Sequence, residues 1–446
     1  MHDGKGTAPP SAARQSRAPK SEEETRALRA SITLPQAVAL YAGAVIGAGV
    51  LILPGVGAGA AGPASLLAWG FDGFLGIPVA LTFAALAAQF PDAGGVATFT
   101  ARAFGAATGT MVGWSYFTAA AVAQALVTLT GGHYAADALG LGRPAAFALA
   151  AGTLAIAVGA NLCGLRVSAH LQLVLAGGVA LVLVAATLAA LPRVSVSAFS
   201  PFMPRGWTSV GRTTILLFFA FFGWEAITHL ASEFRDPARD LKRATVLAVG
   251  LVTAIYLGVA SAVVGTGSYG PDGLNRVAVA HVLSGSLGIG ATWVAGAVAL
   301  VITVGTANAF VAATSRLGYA LSRDGAFPRP LASLNGRQVP HLSILAVGGI
   351  ATSSLLLAFL EGWGAEAFLV VPNSLVLIVY VAAMAAGVRL LRGTNRAIAA
   401  TGAFLCLAIT PFVGVSLVVP ATVALAAILF HVLRSRLERG PFELND

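Results

Sequence analysis

The sequence predicts an all-α, polytopic membrane protein with about twelve transmembrane helices, and three observations carry that prediction. Hydrophobic residues make up 57% and charged residues 10% of the 446 positions, whereas a soluble domain carries about 25% charged residues. Apolar runs of about 20 residues, long enough to cross a hydrocarbon core of ~30 Å, recur from Pro35 to the C-terminus. Runs of about ten alternating residues, the mark of a membrane β-barrel, do not occur.

In chain order the runs predict spans at Pro35–Gly59, Ser65–Phe90, Met111–Leu139, Pro144–Leu162, Ala169–Leu191 and Thr213–Phe234. A second group follows at Ala244–Gly267, Ile289–Leu321, Leu342–Leu360, Phe368–Leu391, Ala397–Val415 and Leu417–Leu437. A turn near Pro411–Ser416 separates the last two. Residues 1–33, rich in Ala, Ser, Pro, Arg and Glu, read as a disordered cytoplasmic tail. Residues 34–437 form the membrane domain, and 438–446 a short cytoplasmic tail. No short apolar core with a small-residue cleavage site precedes the first span, so a removable signal peptide is not expected.

Basic residues orient the bundle. With the N-terminus inside, only Arg143, Arg193, Arg205, Arg212 and Arg276 of the 27 Lys and Arg fall outside. The positive-inside rule then places both termini in the cytoplasm, in a multi-pass protein of the plasma membrane. Basic residues facing anionic inner-leaflet lipid account for the net charge of +9 without nucleic acid. Cys163 and Cys406 sit in or beside spans and read as packing residues rather than a disulfide.

Several chemistries are excluded by missing motifs. The three lysines, Lys5, Lys20 and Lys242, lie in no phosphate-binding loop, which removes an ATP-driven pump in one chain. The seven histidines form no His-Glu-x-x-His pair, and no G-x-S-x-G elbow occurs in a strand-turn-helix setting. Neither an enzyme nor a cofactor or metal site is expected. A membrane enzyme would have to work with Asp72, Glu225 and His229, a poor set. A channel or receptor would need a continuous pore or an outer ligand domain, and the outer loops look short.

Two spans carry features that an unbroken helix does not want. "GAVIGAGVLILPG" (Gly43–Gly55) places Gly43, Gly47 and Gly49 at the heart of span one, although each glycine costs a helix about 1 kcal/mol relative to Ala. Irregular backbone at membrane depth is tolerated where it lines an enclosed cavity, and there it offers N–H groups to anions and carbonyls to cations. Gly47, Ala48 and Gly49 are therefore a candidate carboxylate site, with close small-xxx-small helix packing as the alternative. Span six, within "LFFAFFGWEAITHLASEFRDPARDLKRA" (Leu217–Ala244), carries Gly223 and then Glu225. A carboxylate in a span costs about 2.5–3.5 kcal/mol on insertion scales and faces a cavity or a partner. His229 and Glu233 follow at helical spacing, which suggests a proton path, while Glu233 also suits the cytoplasmic end beside the basic loop. Interrupted helices at corresponding places in two halves mark the midplane site of a secondary transporter.

With those segments, "FPDAGGVATFTARAFG" (Phe90–Gly105) and "SRLGYALSRDGAFP" (Ser315–Pro328), the sequence resembles the amino acid–polyamine–organocation superfamily over nearly the whole membrane region. "DAGGVATF" and "HLASEFRDPARD" are most similar to the bacterial methionine and branched-chain amino acid exporters. The resemblance implies a LeuT-like five-plus-five inverted-repeat core with two peripheral helices. It also implies alternating-access transport of a small-molecule amino acid, with the proton as coupling ion. An importer or exchanger of broader specificity is the alternative. Carried over by position, Gly47, Ala48 and Gly49 would bind the α-carboxylate and carbonyls near Phe219 and Phe222 the ammonium, with Gly223 also at the substrate site. Phe219 would gate the site, Glu225 with His229 would couple protons, and Asn308 and Asn373 would line the wall or bond between helices. One departure stands out: span five, Ala169–Leu191, lacks the lysine that replaces a sodium ion in some proton-coupled relatives.

Overall fold

The computed structural model describes residues 34–90, 95–164, 169–226, 237–288 and 290–438. Among them the chain is helical throughout and holds no strand. The helices are α1 (Leu34–Val45), α2 (Leu53–Ala61), α3 (Ser65–Gln89), α4 (Gly95–Phe104), α5 (Ala106–Ala138), α6 (Arg143–Leu162), α7 (Ala169–Ala190) and α8 (Gly206–Leu217). They continue as α9 (Pro237–Gly265), α10 (Ala278–Leu287), α11 (Gly290–Arg323), α12 (His341–Leu360), α13 (Ala365–Leu390), α14 (Gly393–Ile409) and α15 (Val418–Glu438).

Nine helical stretches among the described residues are long and apolar enough to cross a membrane. Gly414, at φ 62°, divides the last of them into α14 and α15. The first span is broken at its centre, and the sixth is described only as far as Ala226. They complete the twelve that hydropathy predicts. Besides a single turn at Asp272–Asn275, two helices were not anticipated: α4, between the second and third spans, and α10, between the seventh and eighth. Each has 10 residues, too few to cross a bilayer and so without a full-length apolar run.

Packing sorts the spans into two groups. Helix α9 packs against α1, α2 and α3, and α8 packs against α2 and α3, so spans one, two, six and seven form one bundle. Helix α5 packs along α11, α6 and α12, and these also pack on one another, which joins spans three, four, eight and nine. Each group therefore pairs elements five spans apart in sequence, as a repeat of five requires. Small residues bring α5 and its neighbours close: a Cβ on Gly131 would press on Thr303, and one on Gly296 would meet Ala138.

The same closeness makes a test of the frame. A Cβ on Gly132 would strike the carbonyl oxygen of Ala146 on α6, and backbone cannot swing aside as a side chain can. Gly132→Ala should lower stability by about 1–3 kcal/mol through overpacking. Gly250→Ala, on a face of α9 with nothing within 4 Å of the new methyl group, should be neutral or stabilise by about 0.5–1 kcal/mol. Thermal unfolding of the detergent-solubilised variants, followed by size-exclusion fluorescence, checks both. Equal melting of the two would contradict the packing.

Candidate functional site

The two broken spans lie side by side. In span one the helical ladder stops at the Ile46 N–H, which donates to Ala42 O at 2.8 Å, and resumes with Val50 N–H to Gly47 O at 3.2 Å. The intervening N–H groups, from Gly47 to Gly49, open the turn Ala48–Leu51, and the first N–H groups of a helix have no partner within it. In span six, α8 tightens into the turn Phe218–Phe221. Phe222 is then extended at ψ 146°, and Gly223 takes φ 110°, a conformation that only glycine adopts without strain.

Backbone released in a membrane must find partners, and tyrosine hydroxyls supply them. Tyr41 of α1 donates to Trp224 O at 2.9 Å, and Tyr134 of α5 donates to Leu51 O at 2.8 Å. Tyr256 of α9 places one hydroxyl between Ala220 O (3.2 Å) and Val45 O (3.4 Å), the carbonyls where the two spans begin to unwind. All three side chains are buried.

A cavity opens between the breaks. Gly47, Phe219, Phe222, Gly223 and Glu225 line it, so five of the residues singled out from sequence converge. Apart from Tyr116, its remaining walls are apolar or small, among them Val45 and Val50 of span one, Ala120, Ala123 and Val127 of α5, and Thr306 and Phe310 of α11. Glu225 is its carboxylate. Tyr116 of α5 donates to Oε1, Tyr380 of α13 donates to Oε2 at 2.6 Å, and the Gly223 N–H reaches Oε2 at 3.2 Å. One acidic side chain thus joins the broken span to two other helices. Tyr380 is held in turn by the rings of Phe83 (5.4 Å) and Phe218 (5.5 Å).

The two asparagines stand apart from the cavity lining. Asn161 of α6 donates to Asn308 Oδ1 at 2.6 Å and to Asn308 O at 3.1 Å, a buried tie between α6 and α11. Asn373 of α13 donates to Ile215 O (2.7 Å) and Leu216 O (3.1 Å), capping α8 where it starts to unwind. Ala48 and Gly49 lie in the turn that begins the second half of span one. His229 lies outside the described residues, as does Glu233. Sequence reasoning missed Tyr116, Tyr380, Tyr134, Tyr256 and Thr306. The only available signal was the general one that a buried Glu needs donors, and that does not say which helix supplies them.

Comparison with known proteins agrees with this architecture. A family model described as amino acid permease matches residues 32–433. The uncharacterized amino acid permease YecA of Bacillus subtilis is 33% identical over 408 residues, covering 90% of this chain and 96% of that protein. The L-methionine/branched-chain amino acid exporter YjeH of Escherichia coli is 28% identical over 390 residues, covering 87% and 92%. The branched-chain amino acid permease BcaP of Bacillus subtilis is 27% identical over 340 residues, covering 71% and 72%. The breaks in spans one and six, the cavity between them and the match along the whole membrane region converge: this chain belongs to the amino acid permease family of multi-pass membrane transporters.

Proposed function

We propose that the protein is a secondary transporter that exports neutral, mainly apolar amino acids of the methionine and branched-chain type, by proton-linked alternating access across the plasma membrane. The observation that carries this reading is the cavity itself: an apolar chamber between two broken helices, with one carboxylate held by two tyrosines. The substrate α-carboxylate lies at the N–H groups of Gly47, Ala48 and Gly49, and the ammonium at carbonyls near Phe219 and Phe222. Val45, Ala123, Val127 and Thr306 surround the side chain, where an added charge would be buried without a partner. YjeH and BcaP, whose names specify methionine and branched-chain amino acids, point the same way. Both tails, 1–33 and 438–446, are placed in the cytoplasm on the charge bias alone.

Three outcomes test the reading. In proteoliposomes, unlabelled methionine, leucine, isoleucine and valine should compete with labelled leucine, while lysine, arginine and glutamate should not. Strong inhibition by arginine would remove the apolar assignment.

A Cβ on Gly47 would project to within 3.9 Å of the Thr306 methyl group, so the added side chain enters the cavity without striking backbone. Gly47→Val should abolish substrate binding, measured by scintillation proximity, and leave melting close to wild type. Unaltered binding would mean that the break serves packing alone.

Glu225 is the group whose charge decides whether Tyr116 and Tyr380 are held together. Glu225→Gln keeps the volume and removes that charge. The variant should retain exchange of amino acid for amino acid but lose the dependence of exchange rate on pH. A wild-type pH profile would make Glu225 structural.

A further inference from the structure

A second carboxyl lies in the membrane core without the partners that Glu225 enjoys. Asp72, two turns into α3, is 1% exposed, and neither Oδ1 nor Oδ2 has a hydrogen-bond partner. Among the described residues it joins no ion pair. A carboxylate moved out of water with neither counter-ion nor donors is far costlier than the neutral acid, so a chain that keeps it there holds a proton on it.

Helix α3 and the elements packed against it carry several other buried polar atoms without partners. On its own helix, Ser65 Oγ and Trp69 Nε1 are buried without partners. Helices α9, α14, α8 and α13 and the turn Trp224–Ala226 pack against α3. They contribute unpartnered Thr253 Oγ1, Thr213 Oγ1, Asn373 Oδ1 and Trp224 Nε1. The Trp224 indole nitrogen lies 3.3 Å from the Cβ position of Gly76, one helical turn from Asp72, so the broken span itself rests on this stretch of α3. The ionisable groups on the packing elements within the core are Tyr256, Cys406, Tyr380 and Glu225. No core position on these elements carries Lys, Arg or His. Arg212, Arg389, Arg396, Lys242 and Arg243 are exposed, and Arg239 and Asp240 belong to the first turn of α9.

We propose that Asp72 is a proton-carrying site of the transport cycle. It is neutral in this closed packing and releases its proton when the junction of α3 with α8 and α14 parts and admits water. In that step the carboxyl O–H bond breaks, its electron pair stays on the oxygen, and the proton passes to water as hydronium. The unpartnered Thr253 hydroxyl, which stands against Gly73 next to Asp72 in the chain, then orients the water that solvates the new carboxylate. Movement of the broken span supplies the opening, because Trp224 and α8 both belong to it. Glu225 sets the pH response of exchange, and Asp72 carries the proton that drives net movement. The proposal rests on the transport reading above.

The test uses the full-length protein in proteoliposomes, with labelled methionine as probe. Asp72→Asn should keep methionine exchange, and its pH dependence, near wild type, while accumulation driven by a pH gradient falls to that of empty liposomes. Asp72→Glu, which restores an acid, should recover accumulation. Wild-type accumulation by Asp72→Asn, equal loss of exchange and accumulation, or dependence on sodium would each overturn the proposal. Infrared spectra of wild-type protein labelled with 13C-aspartate give a reading independent of transport and of the variant's folding. A protonated aspartic acid band should persist at neutral pH, and its absence would overturn the assignment even if methionine is carried. If wild-type protein moves no methionine at all while the band is present, the substrate reading fails and the proton assignment stands.

Discussion

Backbone that leaves the helix inside a membrane has no water to bond, so every released group must be met by the protein or by what the protein binds. That constraint organises the molecule. Val45 and Ala220 end the first halves of two spans more than 170 residues apart, and the single Tyr256 hydroxyl lies between their carbonyls. Tyr41 and Tyr134 meet Trp224 O and Leu51 O just beyond the breaks. Once these contacts form, the broken segments are adjacent, and the cavity is the space they leave. The N–H groups from Gly47 to Gly49 open a helical turn beside it.

The rest of the fold supports those breaks by keeping one bundle close-packed and leaving the other its irregularities. Along α5 and α11 small residues let the backbones approach until added methyl groups would collide at Gly131 and Gly296. The asparagine pair Asn161–Asn308 ties α6 to α11 within the same bundle. Spans one and six, by contrast, are interrupted at their centres and owe their shape to hydroxyls reaching in from other helices.

The two core carboxyls show how context divides one chemistry into two. Glu225 lies in the cavity with three donors around it, two of them from α5 and α13, so its carboxyl group ties together the elements that meet there. Asp72 lies behind the same broken span with no donor at either oxygen. A hydrogen-bonded carboxylate is stable in place, whereas an unpartnered one waits on water or a proton. The difference lies in their neighbours, since both are ordinary acids in apolar helices.

Hydropathy alone located the spans, because crossing a hydrocarbon slab of fixed thickness imposes a local and length-dependent pattern on the chain. Glycine at Gly47, Gly49 and Gly223, with Glu225 close behind, located the breaks for a similar reason: helix strain and the cost of a buried charge are properties of a short segment. Five residues read from those segments line the cavity. Tyr116, Tyr380 and Tyr256 were invisible, since a tyrosine in a span looks the same whether its hydroxyl meets Glu225, a broken helix or a lipid headgroup. Asn308 and Asn373 were equally ambiguous, and the packing turned one toward Asn161 and the other toward the end of α8. The sequence by itself determined where helices form and where they fail. Which hydroxyl or amide meets each released group was decided only by tertiary structure, because a hydrogen bond reaches about 3 Å and the partners are brought within it by the packing of helices distant in sequence.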